Sequence, residues 1–277
     1  MTAFLEEMAA GSRERVRLAK RACAPAALES RARNVRAPSR LQLDASGFDL
    51  IAELKLRSPA AGPLSSVRGD NVEQRVAAYA RAGAAAVSVL TEPSRFGGSL
   101  AHLKSAAGAL ASLAVPAMRK DFLVDPYQVL EARVAGAGGV LVILRLLPRE
   151  ELTALLDCAS DLGLFVLLEA FDAHDVALMH ELLAAHRGSN QLLAGVNCRD
   201  LATLKIVPQR LIELAPLLPK SVPRVAESGV VSPADAARVA AAGYDLALVG
   251  SALMQGKDPG ALAVQLLAAG RAARRST

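Results

Sequence analysis

The sequence predicts an α/β fold, a closed (β/α)8 TIM barrel preceded by a short helical extension. Three observations predict it. Eight short β-rich apolar runs recur from residue 51 onward, starting 22 to 35 residues apart, so each interval holds a loop, a helix and a second loop. The runs are nearly continuous in apolar residues, as parallel strands buried on both faces require. The charged residues that interrupt them fall at their C-terminal ends, the face where barrels of this kind carry chemistry.

Residues 1–50 precede the first run. Phe4, Leu5, Met8, Val16 and Leu18 alternate with charges at helical spacing, which predicts one or two amphipathic helices lying over the barrel bottom or over its mouth. The runs follow: Ile51–Lys55, Ala86–Leu90, Pro116–Lys120, Val140–Leu144, Phe165–Glu169, Leu193–Asn197, Arg224–Ser228 and Leu246–Gly250. Between them, Asp125-Pro126 and Ser232-Pro233 each put a capping oxygen before a proline at the first helical position. Gly83, Gly136 and Gly243 stop alanine-rich helices shortly before a strand, where a left-handed closing residue is needed. Eight such units favour closure over an open doubly wound sheet. The 277 residues therefore read as one barrel domain, 1–277, with 1–50 as its helical extension.

Composition narrows the function. Apolar residues make up 52% and charged residues 21%, a globular balance, but aromatics are only 3%, so Ala, Val and Leu must fill the core. The formal charge of +5 sits entirely in residues 1–40, which hold nine Lys or Arg against four Glu, while residues 41–277 are neutral. Arg271, Arg274 and Arg275 form a second basic cluster. These ends read as solvated helix faces and not as the basic, aromatic-lined stripe that a nucleic acid needs. Cys23, Cys158 and Cys198 are odd in number and without metal-ligand spacing, so no metal site or disulfide framework is expected and a reducing compartment fits. Acids stand where a signal peptide would be basic, and the apolar stretches, such as the one that holds Gly139–Leu144, fall far short of the roughly 18 residues of a membrane span. A cytoplasmic protein with no membrane partner is expected, as a monomer or weak homo-oligomer.

The polar strand ends carry the functional signal. Glu53 and Lys55 close the first run, Lys120 and Asp121 the third, Glu169 the fifth, Asn197 and Arg199 the sixth, Glu227, Ser228 and Gly229 the seventh, and Gly250 and Ser251 the eighth. Glu53 and Lys55 lie two apart and share a face, as do Asn197 and Arg199 if the strand continues. Such a crowd is either an ion-pair network at the barrel mouth or a site whose shifted pKa values make a Lys acid and a Glu base workable near neutral pH. Glu-Ser-Gly at 227–229 and Gly-Ser at 250–251 add glycines whose N–H groups can approach an anion, with a short helix starting at Ser251, the arrangement of a phosphate site.

With these residues placed, the sequence resembles the indole-3-glycerol phosphate synthase family over nearly its whole length. The resemblance is carried by Ile-Ala-Glu-Leu-Lys-Leu-Arg-Ser-Pro (51–59), by Ser-Val-Leu-Thr-Glu (88–92) with Phe96, Gly98 and Ser99, and by Arg-Lys-Asp-Phe-Leu-Val-Asp-Pro-Tyr-Gln (119–128). Asn-Cys-Arg-Asp-Leu (197–201) and Ala-Glu-Ser-Gly-Val (226–230) follow in the family's order. It implies a carboxy-lyase of tryptophan biosynthesis, free of cofactor and metal, acting on a small phosphorylated substrate. Lys120 would be the general acid at the substrate carbonyl and Glu169 would assist dehydration. Glu53 and Lys55 would support proton transfer, and Asn197 would orient hydroxyls. Lys55, Ser58, Gly229, Gly250 and Ser251 would hold the phosphate. Arg199 would face the anthranilate carboxylate, Phe96 and Phe122 would line the aryl pocket, and Glu227 and Ser228 would contact substrate.

Three residues depart from the family's pattern: Ala60 replaces a usual Ser, Phe171 stands where a polar His or Asn is common, and Pro93 stiffens the loop after the second strand. They bear on rate, loop behaviour and aryl specificity. The competing readings are a related phosphate barrel such as phosphoribosylanthranilate isomerase, which would want a lumenal Cys, and a non-catalytic scaffold. Cys198 is expected to point away from the lumen, against the first, and the retained polar strand ends speak against the second.

Overall fold

Eight parallel strands close on themselves: β1 (Asp49–Leu54), β2 (Ala86–Leu90), β3 (Ala117–Lys120), β4 (Gly139–Ile143), β5 (Phe165–Ala170), β6 (Leu192–Asn197), β7 (Arg224–Glu227) and β8 (Leu246–Val249). Closure is made by β1, which pairs with β2 through Ile51 and Ala86 and with β8 through Asp49 and Leu246. The structure, a computed structural model, describes residues 2–58, 62–63, 71–186, 188, 191–256 and 258–275. Among these, no helix is long and apolar enough to cross a membrane.

The predicted runs and the strands agree within one or two residues, and the offsets have causes. Pro116 has no N–H for the ladder and only accepts from Val87 before β3 begins. Leu144 opens a 3-10 turn and Gly250 precedes a helix. Strands β1, β5 and β6 are buried along their full length, as near-continuous apolar runs demand. The helices in chain order are α1 (Ala3–Ala22), α2 (Pro25–Asn34), α3 (Val72–Arg81), α4 (Pro93–Phe96), α5 (Leu100–Ala111), α6 (Pro126–Val134), α7 (Arg149–Asp161), α8 (Ala173–Ala185), α9 (Gln209–Leu214), α10 (Pro233–Ala241), α11 (Ser251–Gln255) and α12 (Pro259–Arg275). Asp125 and Ser232 cap α6 and α10 as the Asp-Pro and Ser-Pro pairs predict. Gly83, Gly136 and Gly243 take φ of +95°, +91° and +99°.

The extension is more than a bottom lid. Helix α1 (Ala3–Ala22) lies at the mouth, against the turn that follows β3. Its buried Ser12 donates to the Phe122 carbonyl (2.5 Å) and accepts from Gln128 Nε2 (2.8 Å), and Arg15 pairs with Asp121 (2.9 Å). The Tyr127 hydroxyl lies 3.0 and 2.9 Å from the carbonyls of Ala19 and Cys23. Helix α2 (Pro25–Asn34) packs on α6, where Arg133 donates to the Val35 and Arg36 carbonyls (2.9 and 2.8 Å). The chain then reaches the barrel base, where the ring of Phe48 occupies the space that a side chain at Gly270 would need.

Candidate active site

Strand geometry turns every second residue inward, so Glu53, Lys120, Glu169, Asn197 and Glu227 converge on the lumen from five strands. They line a cavity of about 590 Å³ at the C-terminal end of the barrel. Lys120 Nζ lies 3.2 Å from Glu169 Oε1 and 3.6 Å from Glu227 Oε2. Lys55 pairs with Glu53 at 2.7 Å, as their shared strand face predicts. Asn197 Nδ2 donates to Glu169 Oε1 (2.8 Å), while its Oδ1 accepts from the backbone N–H of Arg199 (2.9 Å). Strand β6 ends at Asn197, so Arg199 reaches the cavity from a turn, where it bridges to Ile206 and donates to the Leu204 carbonyl (2.8 Å). Leu204 holds a left-handed φ of +59° there.

Two carboxyls are fitted into space left by glycines. A Cβ at Gly195 would overlap Glu227 Oε1, and one at Gly250 would overlap Glu53 Oε1. Among the described residues, neither Glu227 oxygen has a partner at hydrogen-bond distance, although the residue is buried and Lys120 is its nearest cation. Burial, then the charge of Glu169, pushes the Glu227 carboxyl well above the usual carboxylate range, against the pull of Lys120. Protonated, it can share its proton with Glu169. Glu53 behaves differently: burial alone would raise it, but Lys55 and Lys120 outweigh that and hold it below its ordinary value.

The charge crowd moves Lys120 away from neutrality and not toward it. Burial opposes its charge, yet Glu169, Glu227 and Glu53 together raise its pKa further above the ordinary lysine value. Lys120 therefore favours its protonated form, a proton donor aimed into the cavity.

Aromatic rings form one wall. Phe96 sits on α4 (Pro93–Phe96), whose first-turn N–H groups are capped by the Glu92 carboxylate; Pro93 occupies its first position. The Phe96 and Phe122 centroids are 6.2 Å apart, and Phe4 from α1 meets Phe122 edge-on at 5.9 Å. Phe171 also lines the cavity, with the Arg145 guanidinium 4.9 Å from its ring centre. At the other side, Ser228 and Gly229 are both left-handed (φ +66° and +73°), and α11 (Ser251–Gln255) starts directly after Gly250. Cys198 packs behind Gly229, outside the cavity lining.

Phe96, Phe122, Glu53, Lys55, Lys120, Glu169, Asn197, Arg199, Glu227, Ser228, Gly229, Gly250 and Ser251 thus share one cavity. The Ser58 side chain and Ala60 lie outside the described residues. Sequence reasoning missed Phe4, whose register in an amphipathic helix carries no local sign of the pocket. It also missed Asp235 and Arg238 of α10.

Comparison with known proteins places the chain. The family model for indole-3-glycerol phosphate synthase matches residues 5–266. An indole-3-glycerol phosphate synthase of Parafrankia sp. is 41% identical over 268 residues, covering 96% of each chain. One of Nocardioides sp. is 43% identical over 215 residues, covering 78% of each. Among solved structures, 3-hexulose-6-phosphate synthase from Salmonella typhimurium superposes with a TM-score of 0.59 at 15% identity, over 80% of this chain and 97% of that one. Thiamine phosphate pyrophosphorylase from Pyrococcus furiosus gives 0.57 at 13% identity, over 83% and 99%. At such identities these two share the fold.

Proposed function

The chain belongs to the indole-3-glycerol phosphate synthase family, and on that premise we propose how its barrel mouth closes the pyrrole ring of indole. The activity is that of a carboxy-lyase of tryptophan biosynthesis. It converts 1-(2-carboxyphenylamino)-1-deoxyribulose 5-phosphate into indole-3-glycerol phosphate, carbon dioxide and water.

Lys120 is the general acid: its Nζ donates a proton to the substrate ketone oxygen as the carboxylate-bearing ring carbon attacks the ketone carbon. Loss of carbon dioxide then restores the aromatic ring. The hydroxyl formed from the ketone leaves as water, with Glu169 assisting as acid or base next to Lys120. Asn197 fixes the Glu169 carboxylate and the turn that carries Arg199, so its influence on substrate hydroxyls runs partly through those groups. Glu53 and Lys55 support proton transfer and balance charge. Glu227, with Ser228, contacts the substrate. Phe96 and Phe122 hold the aryl ring and Arg199 faces its carboxylate. Lys55, Ser58, Gly229, Gly250 and Ser251 hold the phosphate, a remote handle whose binding energy orients the reacting carbons. The protein works in the cytoplasm as a monomer or weak homo-oligomer built as one barrel domain.

The observation that carries this reading is Lys120 Nζ held between the Glu169 and Glu227 carboxyls, in a cavity with aromatic rings on one wall. Mixing the purified protein with the substrate and following indole fluorescence tests it. Turnover by the wild type, reduced about a thousandfold or more in Lys120→Ala, is expected for a lost acid in a desolvated site. No turnover by the wild type, or full turnover by Lys120→Ala, refutes the mechanism.

A further inference from the structure

The described cavity lining carries five acidic side chains, Glu53, Asp121, Glu169, Glu227 and Asp235, against four cations, Lys55, Lys120, Arg199 and Arg238, with Asp121 already matched by Arg15 and Arg119 from outside the lining. The substrate proposed above brings a phosphate and a carboxylate of its own, so the site has no cation to spare. Three of the four are already engaged deep in the cavity. Lys55 is held by Glu53, Lys120 spans Glu169 and Glu227, and Arg199 is turned to the Leu204 carbonyl.

Arg238 is placed differently. It lies in the second turn of α10, the helix that follows β7, and the N-terminus of α10 sits at the mouth beside the turns after β7 and β8. Helical side chains lean toward the helix N-terminus, so a long side chain at position 238 is carried back toward the cavity. Its pairing with Asp235, one turn earlier, follows that direction, at 2.7 Å. The Arg238 side chain is 51% exposed, whereas Asp235 is 16% exposed and tied to α10 by the N–H groups of Val231 and Ser232 and by the Ser232 hydroxyl. The carboxylate is thus fixed at the rim and the guanidinium above it can move. A phosphate seated on Gly229, Gly250 and Ser251 would share the cavity with the Asp235 charge, a repulsion that a cation between them offsets.

We propose that Arg238 is a phosphate-binding residue of this enzyme, bridging the anchored Asp235 and the substrate phosphate. The inference rests on the reading that the phosphate occupies the turns after β7 and β8. Arg238 supplies there the planar, multi-donor cation that suits phosphate oxygens better than a point charge does. Asp235 keeps the guanidinium close to the rim in the empty enzyme, which lowers the ordering cost of binding.

The test is steady-state kinetics at fixed ionic strength, with inorganic phosphate as a competitive probe of the subsite and thermal melting as the control for helix capping. In the wild type, phosphate competes with substrate. In Arg238→Ala, the KM and the phosphate Ki both rise roughly tenfold while kcat stays within about twofold, the signature of a uniform binding contact. Arg238→Lys recovers part of the affinity. Asp235→Asn retains a capping side chain but releases the guanidinium from the rim, so KM rises, by less than in Arg238→Ala, even if the melting temperature drops. Two results overturn the proposal separately from each other. Unchanged KM and Ki in Arg238→Ala, with competition intact in the wild type, remove Arg238 from the subsite. Absence of phosphate competition in the wild type removes the subsite itself from these turns.

Discussion

The two ends of the barrel use charge in opposite ways. At the base, Arg271 on α12 (Pro259–Arg275) pairs with Asp49 at 3.1 Å and donates to the Phe48 carbonyl at 3.0 Å, and the second Asp49 oxygen accepts from the Asp44 N–H at 2.8 Å. Arg274 reaches both Asp245 and the Gly47 carbonyl, and Arg224 approaches the same aspartate at 3.6 Å. Each of these carboxylates is matched oxygen by oxygen, so the base is a fastener that binds the last helix to the first strand. At the mouth, one ammonium serves several carboxyls, and among the described residues both oxygens of Glu227 lack a hydrogen-bond donor. Buried polar groups are normally satisfied, so the mouth keeps interactions in reserve for a ligand and the base does not. The same contrast corrects the reading of the basic C-terminal cluster as a solvated face: Arg271 and Arg274 are structural.

The largest expected break in that comparison is Glu169→Gln. It keeps the shape of the side chain but removes the carboxylate proposed above for proton transfer, so kcat falls about a hundredfold to a thousandfold in the indole fluorescence assay. Its melting temperature holds or rises, because two buried carboxyls no longer face each other. An unaltered kcat would put Glu169 among the structural groups. The opposite response is expected from Asp49→Ala at the base. It removes one partner of the Arg271 guanidinium and strands the Asp44 N–H, costing about 1–3 kcal/mol by chemical denaturation, with kcat unchanged below the melting temperature. A loss of kcat without loss of stability would show the ends to be coupled.

The smallest effect is a pH dependence. Glu227 has its pKa raised in the folded protein, so its contribution to stability is complete below about 4.5, the ordinary carboxyl value, and is lost as pH rises through the folded value. Glu227→Gln cannot ionise. Its melting temperature should gain on the wild type from that pH upward, and a constant difference across the range would count against a raised pKa.

What could be read from the sequence follows the range of the interactions. Glu53 and Lys55 meet because they are two residues apart on a strand, and Ser232 caps α10 because Pro233 and Asp235 follow it; both are local and both were legible. The convergence of Lys120, Glu169, Asn197 and Glu227 was legible at one remove, since inward alternation and closure bring strand ends together. The direction of the Lys120 shift was not, because it depends on how many carboxyls lie within a few ångströms across the lumen. Nor was the fit of Glu227 against Gly195, a contact between neighbouring strands in which a glycine gives no sign of what fills its space. Phe4 belongs with these, since its place over Phe122 joins residues 118 apart in the chain. Arg238 had a local sign, its spacing from Asp235 on a helix with a readable start, and its side chain leads back to the mouth.

The anchoring of α1 on the turn after β3 also imposes an order of assembly. The bond from Ser12 to the Phe122 carbonyl spans 110 residues, and Arg15 reaches Asp121 across 106. That turn takes its shape from β2 and β3, where Asp121 accepts from Thr91 and from Arg119. A helix made ahead of the barrel therefore has no seat until residues more than a hundred positions later have paired, and closing so long a loop early would cost entropy with little returned. On this ground α1 is the last wall of the cavity to be installed.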